Sequence, residues 1–349
     1  MSAIVRISLR ALWGTGGEKA CEAEVELRNG ARGTGAAALT EASAGVDAAA
    51  GELGDALAGI DAADQWAADW ALAECDGTPR MDRIGSGMLL AASLAVARAA
   101  AAEAGVPLWR HLGGVAARTL PVPQIPVARV ATQEGDVAAL SVLPVGVPGF
   151  AAALAAAHTV REGVRQARFE GLAAACEAIA TAGLGEDVLL AVECSAATVR
   201  AGLPRDAAIA TVRVVDGVSG RRQWQALADA VGPAVQLVAD ACRPADSGLP
   251  LVGAADGFAG AVRLDPLRAG SVTEVLQLAA EAHAAGLGVL LADDWPVGID
   301  DGTAALALAT GAGRIGLGTC GGLSANTLLR IEKKLANSGR YAANTSLRR

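Results

Sequence analysis

From Leu140 onward, short apolar segments alternate with helical ones, and this constrains the fold of the 349-residue chain more than any other feature. Seven segments read as strands: "LSVLPVG", "DVLLAVEC", "IATVRVVDG", "VQLVADA", "GAVRLDP", "GVLLADDW" and "GRIGLG". Between them lie helical runs such as "SVTEVLQLAAEAHAAG" and "DDGTAALALATGAG". A strand, a helix and a second strand in succession pair in parallel through a right-handed crossover. Repeated this often, the unit predicts an α/β architecture, with a strand count close to that of a closed barrel. An open doubly wound sheet is the competing arrangement. It requires a GxGxxG fingerprint after an early strand, and none stands in that context.

The first third of the chain is patterned differently. In "ACEAEVELRNGARGTGAAAL", Cys21, Ala23, Val25 and Leu27 face one way and Glu22, Glu24, Glu26 and Arg28 the other. Asn29-Gly30 then predicts a hairpin. Helical patterns dominate from Ala48 to Glu103, and "GVPLWRHLGG" closes a helix at paired glycines. "TLPVPQIP" is too rich in proline for a helix and reads as a linker. The expected organisation is a small α+β domain over residues 1–120 and an α/β barrel over 121–349.

Composition narrows the function classes. Hydrophobic residues make up 52% and charged residues 19%, enough to bury a large core. The net charge of −8 and the absence of a basic run make nucleic acid and anionic membranes poor partners. Six cysteines stand far apart with no CxxC pair, which gives zinc no support and suits a reduced, cytoplasmic protein. Arg6 and Arg10 break the apolar run a signal peptide needs, and "SGMLLAASLAVARAAAAEAG" reads as a buried helix.

Barrel chemistry sits at the C-terminal ends of strands. Those ends carry Glu193, Asp216, Asp240, Asp265 and the pair Asp293 and Asp294. Carboxylates converging on one mouth repel each other unless a cation joins them, and magnesium prefers such oxygen ligands. Acidic residues also end strands because they start turns and cap helices, and Asp300 and Asp301 before "GTAALAL" are read in that way. No lysine occurs between Lys19 and Lys333, so the mouth has no lysine base. His158 and His283 fall in helical runs as surface or packing residues.

Several motifs, in order along nearly the whole chain, resemble the enolase family. "ECDGTPRMDRIGSGMLLAASLAVARAAA" is similar to the segment opening with the family's "ELDGTP", and "VPLWRHLGG" to its "LPLYRYLGG". "TLPVP", "LPVGVPGF", "VQLVADA" and "LLRIEKKL" follow with their counterparts. The resemblance implies an N-terminal α+β capping domain, an enolase-type (β/α) barrel and a homodimer. In that family, magnesium ions, a lysine base and a glutamic acid dehydrate 2-phosphoglycerate to phosphoenolpyruvate. Carried over by position, the metal ligands are Asp240, Glu193 and a third at Val215, with Asp216 beside it. The catalytic lysine falls at Asp265, and the substrate-binding histidine and arginine at Asp294 and Trp295. A second lysine falls at Gly316 and a glutamate at Ala139. The acid-bearing "GDEGG" segment is missing between His158 and Gly185, and the mobile-loop serine is kept as Ser43.

Carboxylates therefore stand where the resemblance implies cations, and the electrostatic term for a phosphate-bearing substrate changes sign. The leading expectation is a non-catalytic binding or regulatory homologue that has lost phosphopyruvate hydratase activity and holds magnesium weakly or not at all. One alternative is a magnesium-dependent enzyme for another small molecule, neutral or cationic, with Asp265 and Asp294 as base and acid. The other is ordinary 2-phosphoglycerate dehydration. Without metal, the carboxylate cluster is expected to protonate one member or to draw in an arginine, with Arg263 and Arg268 nearby in sequence.

Overall fold

The computed structural model describes residues 2–39, 45–131, 137–167, 171–203, 208–215, 218, 220–241, 258–293, 298–318 and 322–347. The N-terminal part is a three-stranded antiparallel sheet, β1 (Ile4–Trp13), β2 (Lys19–Leu27) and β3 (Arg32–Ala38), in sequential order. The hairpin forms at Asn29-Gly30 as expected. Gly30 has φ +86°, and Asn29 Oδ1 accepts from the amide of Ala31 at 3.0 Å. On the outer face Arg6 pairs with Glu26, Arg10 with Glu22, and Arg32 with Glu24 and Glu26. The alternating glutamates thus end in a cross-strand ladder.

Three helices follow: α1 (Val46–Leu57), α2 (Gln65–Asp76) and α3 (Ser86–Glu103). By length and composition alone α3 is apolar enough to cross a membrane, but 78% of it is buried inside the fold. It lies directly on β3. A Cβ on Gly33 would come within 2.2 Å of the Ala95 carbonyl oxygen, and one on Gly35 within 2.4 Å of that of Ala91. The glycines of "GARGTG" therefore permit contact between strand and helix backbones. Asp76, in "ECDGTP", organises the turn before α3 by accepting from the amides of Thr78 at 3.1 Å and Ile84 at 2.7 Å. Burial opposes its charge, but these bonds outweigh it and hold its pKa below the usual value.

Helix α4 (Leu108–Gly113) and the short pair β4 (Thr119–Leu120) and β13 (Arg340–Tyr341) lead to a closed eight-stranded barrel. Its strands are β5 (Val122–Ala131), β6 (Val137–Pro144), β7 (Val188–Cys194), β8 (Ile209–Val214), β9 (Gln236–Asp240), β10 (Ala261–Leu264), β11 (Gly288–Asp293) and β12 (Arg314–Leu317). The barrel helices described are α5 (Phe150–Gln166), α6 (Gly171–Thr181), α7 (Ala196–Ala201), α8 (Arg221–Val231), α9 (Pro266–Ala269), α10 (Val272–Ala284), α11 (Gly302–Ala309) and α12 (Gly322–Leu335).

Two expectations change here. The proline-rich "TLPVPQIP" is not a linker but enters the barrel as β5. Its prolines are tolerated because pairing is split: residues 122–124 join β12, residues 125–131 join β6, and the ladder is irregular between Pro126 and Ala128. Strand pairing is also not uniformly parallel. β5–β6 and β6–β7 are antiparallel, with α5 and α6 both lying between β6 and β7.

Two polar seams join the N-terminal part to the barrel. Asp69 of α2 accepts from the Thr273 amide at 2.8 Å, Ser93 of α3 accepts from Val272 at 2.9 Å, and Ser271 accepts from Glu274 at 3.2 Å. Three amides that α10 cannot satisfy internally are therefore met, two of them by side chains of the N-terminal part. In the second seam Arg98 binds Asp300 at 2.7 Å and Asp301 at 2.8 Å. Asp300 also accepts from Gly302 at 2.6 Å, in keeping with its expected role at the α11 start, and from Ala36 at 2.9 Å. Asp301 departs from that role: its side chain does not cap the helix and binds Arg98 and Thr327 instead. Trp109 is buried and Leu108 and Leu112 are half-buried, with an open groove beside α4 lined in part by Leu108 and Trp109.

At the base of the barrel, Arg314 is completely buried and donates to Gln236 Oε1 at 2.6 Å. Its Nε and Nη1 have no hydrogen-bond partner among the described residues, and burial lowers its pKa to about 10.

Candidate functional site

Strands β7, β8, β9 and β10 are neighbours, and near their C-terminal ends they carry Glu193, Arg213, Asp240 and Arg263. Glu193 is in register with Arg213, and Asp240 with Arg263, so the charges alternate in sign around this part of the mouth. Arg213 lies between the two carboxylates that the sequence marked as metal ligands. Its Nη2 donates to Glu193 Oε2 at 3.0 Å, and its Nη1 donates to Asp240 Oδ1 at 3.0 Å and Oδ2 at 3.1 Å. Burial by itself would lower the guanidinium pKa, but the two carboxylates together outweigh it and hold it above its ordinary value.

Glu193 and Asp240 are thus brought together as expected, but through an arginine from the strand between them. The expected cations, Arg263 and Arg268, flank Asp265, the acidic residue nearest them in sequence. Arg263 Nη1 is 3.6 Å and Arg268 Nε 3.7 Å from Asp265 Oδ2. Asp265 is 5% exposed, and its Oδ1 caps α9 by accepting from the Leu267 amide at 3.1 Å. One oxygen thus caps a helix and the other lies in ion-pair range of two arginines. Gln124, on β5, donates to Glu193 Oε1 at 3.3 Å and keeps a buried Oε1 with no partner among the described residues. Val215 follows β8 and offers no donor atom, and Gly316 on β12 offers no side chain. Ser43, Asp216, Asp294 and Trp295 lie outside the described residues.

Arg213 escaped the sequence reading although its signal was present. In "IATVRVVDG" residues 211, 213 and 215 share one face of the strand, so Arg213 points the same way as the position assigned to the third ligand. Beside the mouth, between α3 and the barrel, a cavity of about 70 Å³ is lined by Ala36, Leu90, Leu94, Pro266, Ile299 and Asp293, among others. Small-molecule sites usually enclose roughly 300–1,000 Å³.

Among the described residues the donor set does not suit a divalent ion. Magnesium needs near-ideal octahedral oxygen geometry, and here a guanidinium is held by both candidate carboxylates. Among the described residues no three histidine, cysteine, aspartate or glutamate side chains form a group able to hold a metal. What the mouth does hold is a self-neutralised ion-pair network.

Comparison with known families agrees with the architecture. Residues 15–112 match the family model for the enolase N-terminal domain, and residues 213–349 match that for the enolase C-terminal TIM barrel domain. With a small sheet domain set on an eight-stranded barrel that opens on antiparallel pairs, the chain belongs to the enolase family.

Proposed function

We propose that this enolase-family protein does not dehydrate 2-phosphoglycerate and is a pseudoenzyme, a non-catalytic binding or regulatory homologue. The observation that carries the reading is Arg213, whose guanidinium takes up both Glu193 and Asp240. Dehydration of a phosphorylated hydroxy acid builds negative charge on the substrate carboxylate, and that charge needs concentrated positive charge facing the ligand. Here the central positive charge is already spent on two protein carboxylates. Asp265 is tied to Arg263, Arg268 and the start of α9, which also weighs against its serving as a base in a changed chemistry. Family membership and composition extend the reading to a cytoplasmic homodimer.

The test is twofold. Calorimetric titration of the purified protein with magnesium and manganese is expected to give no sub-micromolar binding, and 2-phosphoglycerate is expected to yield no enol product. Turnover near about 10 per second would overturn the reading. Tight stoichiometric magnesium without that turnover would favour an enzyme of changed substrate.

A further inference from the structure

Between Val46 and Asp76 the sequence holds eight aspartates and glutamates and no lysine or arginine. That stretch is α1, α2 and their connection. Asp47, Glu52, Asp55, Asp64 and Glu74 are exposed on it, and of these Glu52 is paired with Arg83 at 2.8 Å. On the same surface stand Trp66 and Trp70, each 54% exposed in a chain with only 3% aromatic residues. One helical turn apart, they stack with ring centroids 5.4 Å apart and planes 17° from parallel. Glu74 continues the stripe one turn further, and Asp64 sits at the helix N-cap. The neighbours Ala63, Ala67 and Ala71 are too small to cover the rings.

Single exposed apolar residues are ordinary, but paired tryptophans framed by carboxylates form a patch suited to a partner. Charge decides which partner. A second copy presenting the same face would set two predominantly acidic surfaces against each other, since Arg83 offsets only Glu52, and such juxtaposition is repulsive. An arginine satisfies both features at once: its guanidinium stacks on an indole face while its edge binds a carboxylate. The molecule already contains such a contact, since the Arg110 guanidinium lies 4.8 Å from the Trp109 ring centroid.

We propose that the α1–α2 surface, centred on Trp66 and Trp70, docks an arginine-bearing segment of a partner protein. The site is remote from Arg213 in sequence and its test does not depend on the barrel mouth. The experiment uses the full chain and a fluorescein-labelled octa-arginine peptide, read by anisotropy, with octa-lysine and octa-glutamate peptides for comparison. Octa-arginine is expected to bind, octa-lysine more weakly and octa-glutamate not at all. The double variant Trp66→Ala, Trp70→Ala is expected to lose about fivefold or more in affinity, on the scale of one to two cation–π contacts. Asp64→Asn with Glu74→Gln is expected to weaken binding and its salt dependence while leaving the rings in place. Thermal melts check that both variants fold. The proposal is overturned if octa-arginine does not bind, binds the ring-deleted variant equally well, or binds no better than octa-lysine. It is also overturned if light scattering finds a concentration-dependent dimer that the ring deletions abolish, because the patch would then serve a second copy.

Discussion

Replacing Arg213 with alanine tests the mouth most directly. The guanidinium makes three charged hydrogen bonds, at 3.0, 3.0 and 3.1 Å, and its side chain is 13% exposed. Its partners are less sheltered, with Glu193 20% and Asp240 26% exposed. Deleting one member of a fully buried pair costs about 3–5 kcal/mol, because an uncompensated charge stays behind. Here water reaches both carboxylates in part, so the expected loss is smaller, about 2–3 kcal/mol. For a barrel-sized unit that corresponds to a fall in Tm of about 4–12 °C. The variant should also acquire what the parent lacks, a pair of uncompensated carboxylates able to take a divalent ion. If that ion binds with a Kd near about 1 mM, then roughly 10 mM magnesium restores about 1.4 kcal/mol by mass action, and the parent gains nothing. Arg213→Lys should fall between the two, since an ammonium keeps the charge but not the fork. Scanning calorimetry with and without magnesium reads all three proteins. An Arg213→Ala variant as stable as the parent, or equal magnesium responses in both, would refute the idea that the guanidinium holds the site.

Two further outcomes are expected elsewhere in the molecule. Burial, the dominant effect on Asp69, raises its pKa despite hydrogen bonds from Ser93, Thr273 and Gln65. Its contribution to stability is therefore full below the unfolded carboxylate pKa of about 3.9 and is lost as pH rises through the raised folded value. Asp69→Asn should flatten that part of the pH–stability curve in urea titrations, and an unchanged curve would refute the assignment. Arg314→Met replaces a fully buried cation that donates to Gln236 while its Nε and Nη1 lack partners among the described residues, so stability should stay within about 1 kcal/mol of the parent or rise. A loss above about 3 kcal/mol in denaturant would mean that the charge is needed.

Much of the fold was legible because its signals are local. The β2–β3 hairpin declares itself by strict alternation and Asn-Gly, and seven barrel strands by apolar runs bounded by turns. Strand β5 was hidden because proline is read as a breaker, and only closure of the barrel shows that split pairing leaves room for Pro123 and Pro126. The antiparallel start was hidden for a related reason, since no local pattern distinguishes a β–β connection from a strand that waits for a helix. At the mouth, Glu193 and Asp240 were found because each ends an apolar strand. Arg213 was missed because the search for a counter-charge followed sequence neighbours of Asp265, whereas counter-charges in a barrel come from the next strand.

That strand order also explains how a barrel mouth can offset its own acidic charge. Carboxylates on adjacent strands repel, and the repulsion falls on the folded state, where they are held close. In a mouth built only of acids, part of the stability would therefore depend on a bound cation and on its concentration. Arg213, between Glu193 and Asp240, supplies that cation from within the chain. Among the described residues, the other side chain that reaches this pair is Gln124, which donates to Glu193. Helix α3 packs on β3 through glycines, Asp69 and Ser93 meet the first amides of α10, and Arg98 ties α3 to the α11 start. The seams that hold the N-terminal part on the barrel are thus physically separate from the mouth. An internal ion pair at the mouth leaves them intact, so it is compatible with a fully folded enolase-type protein.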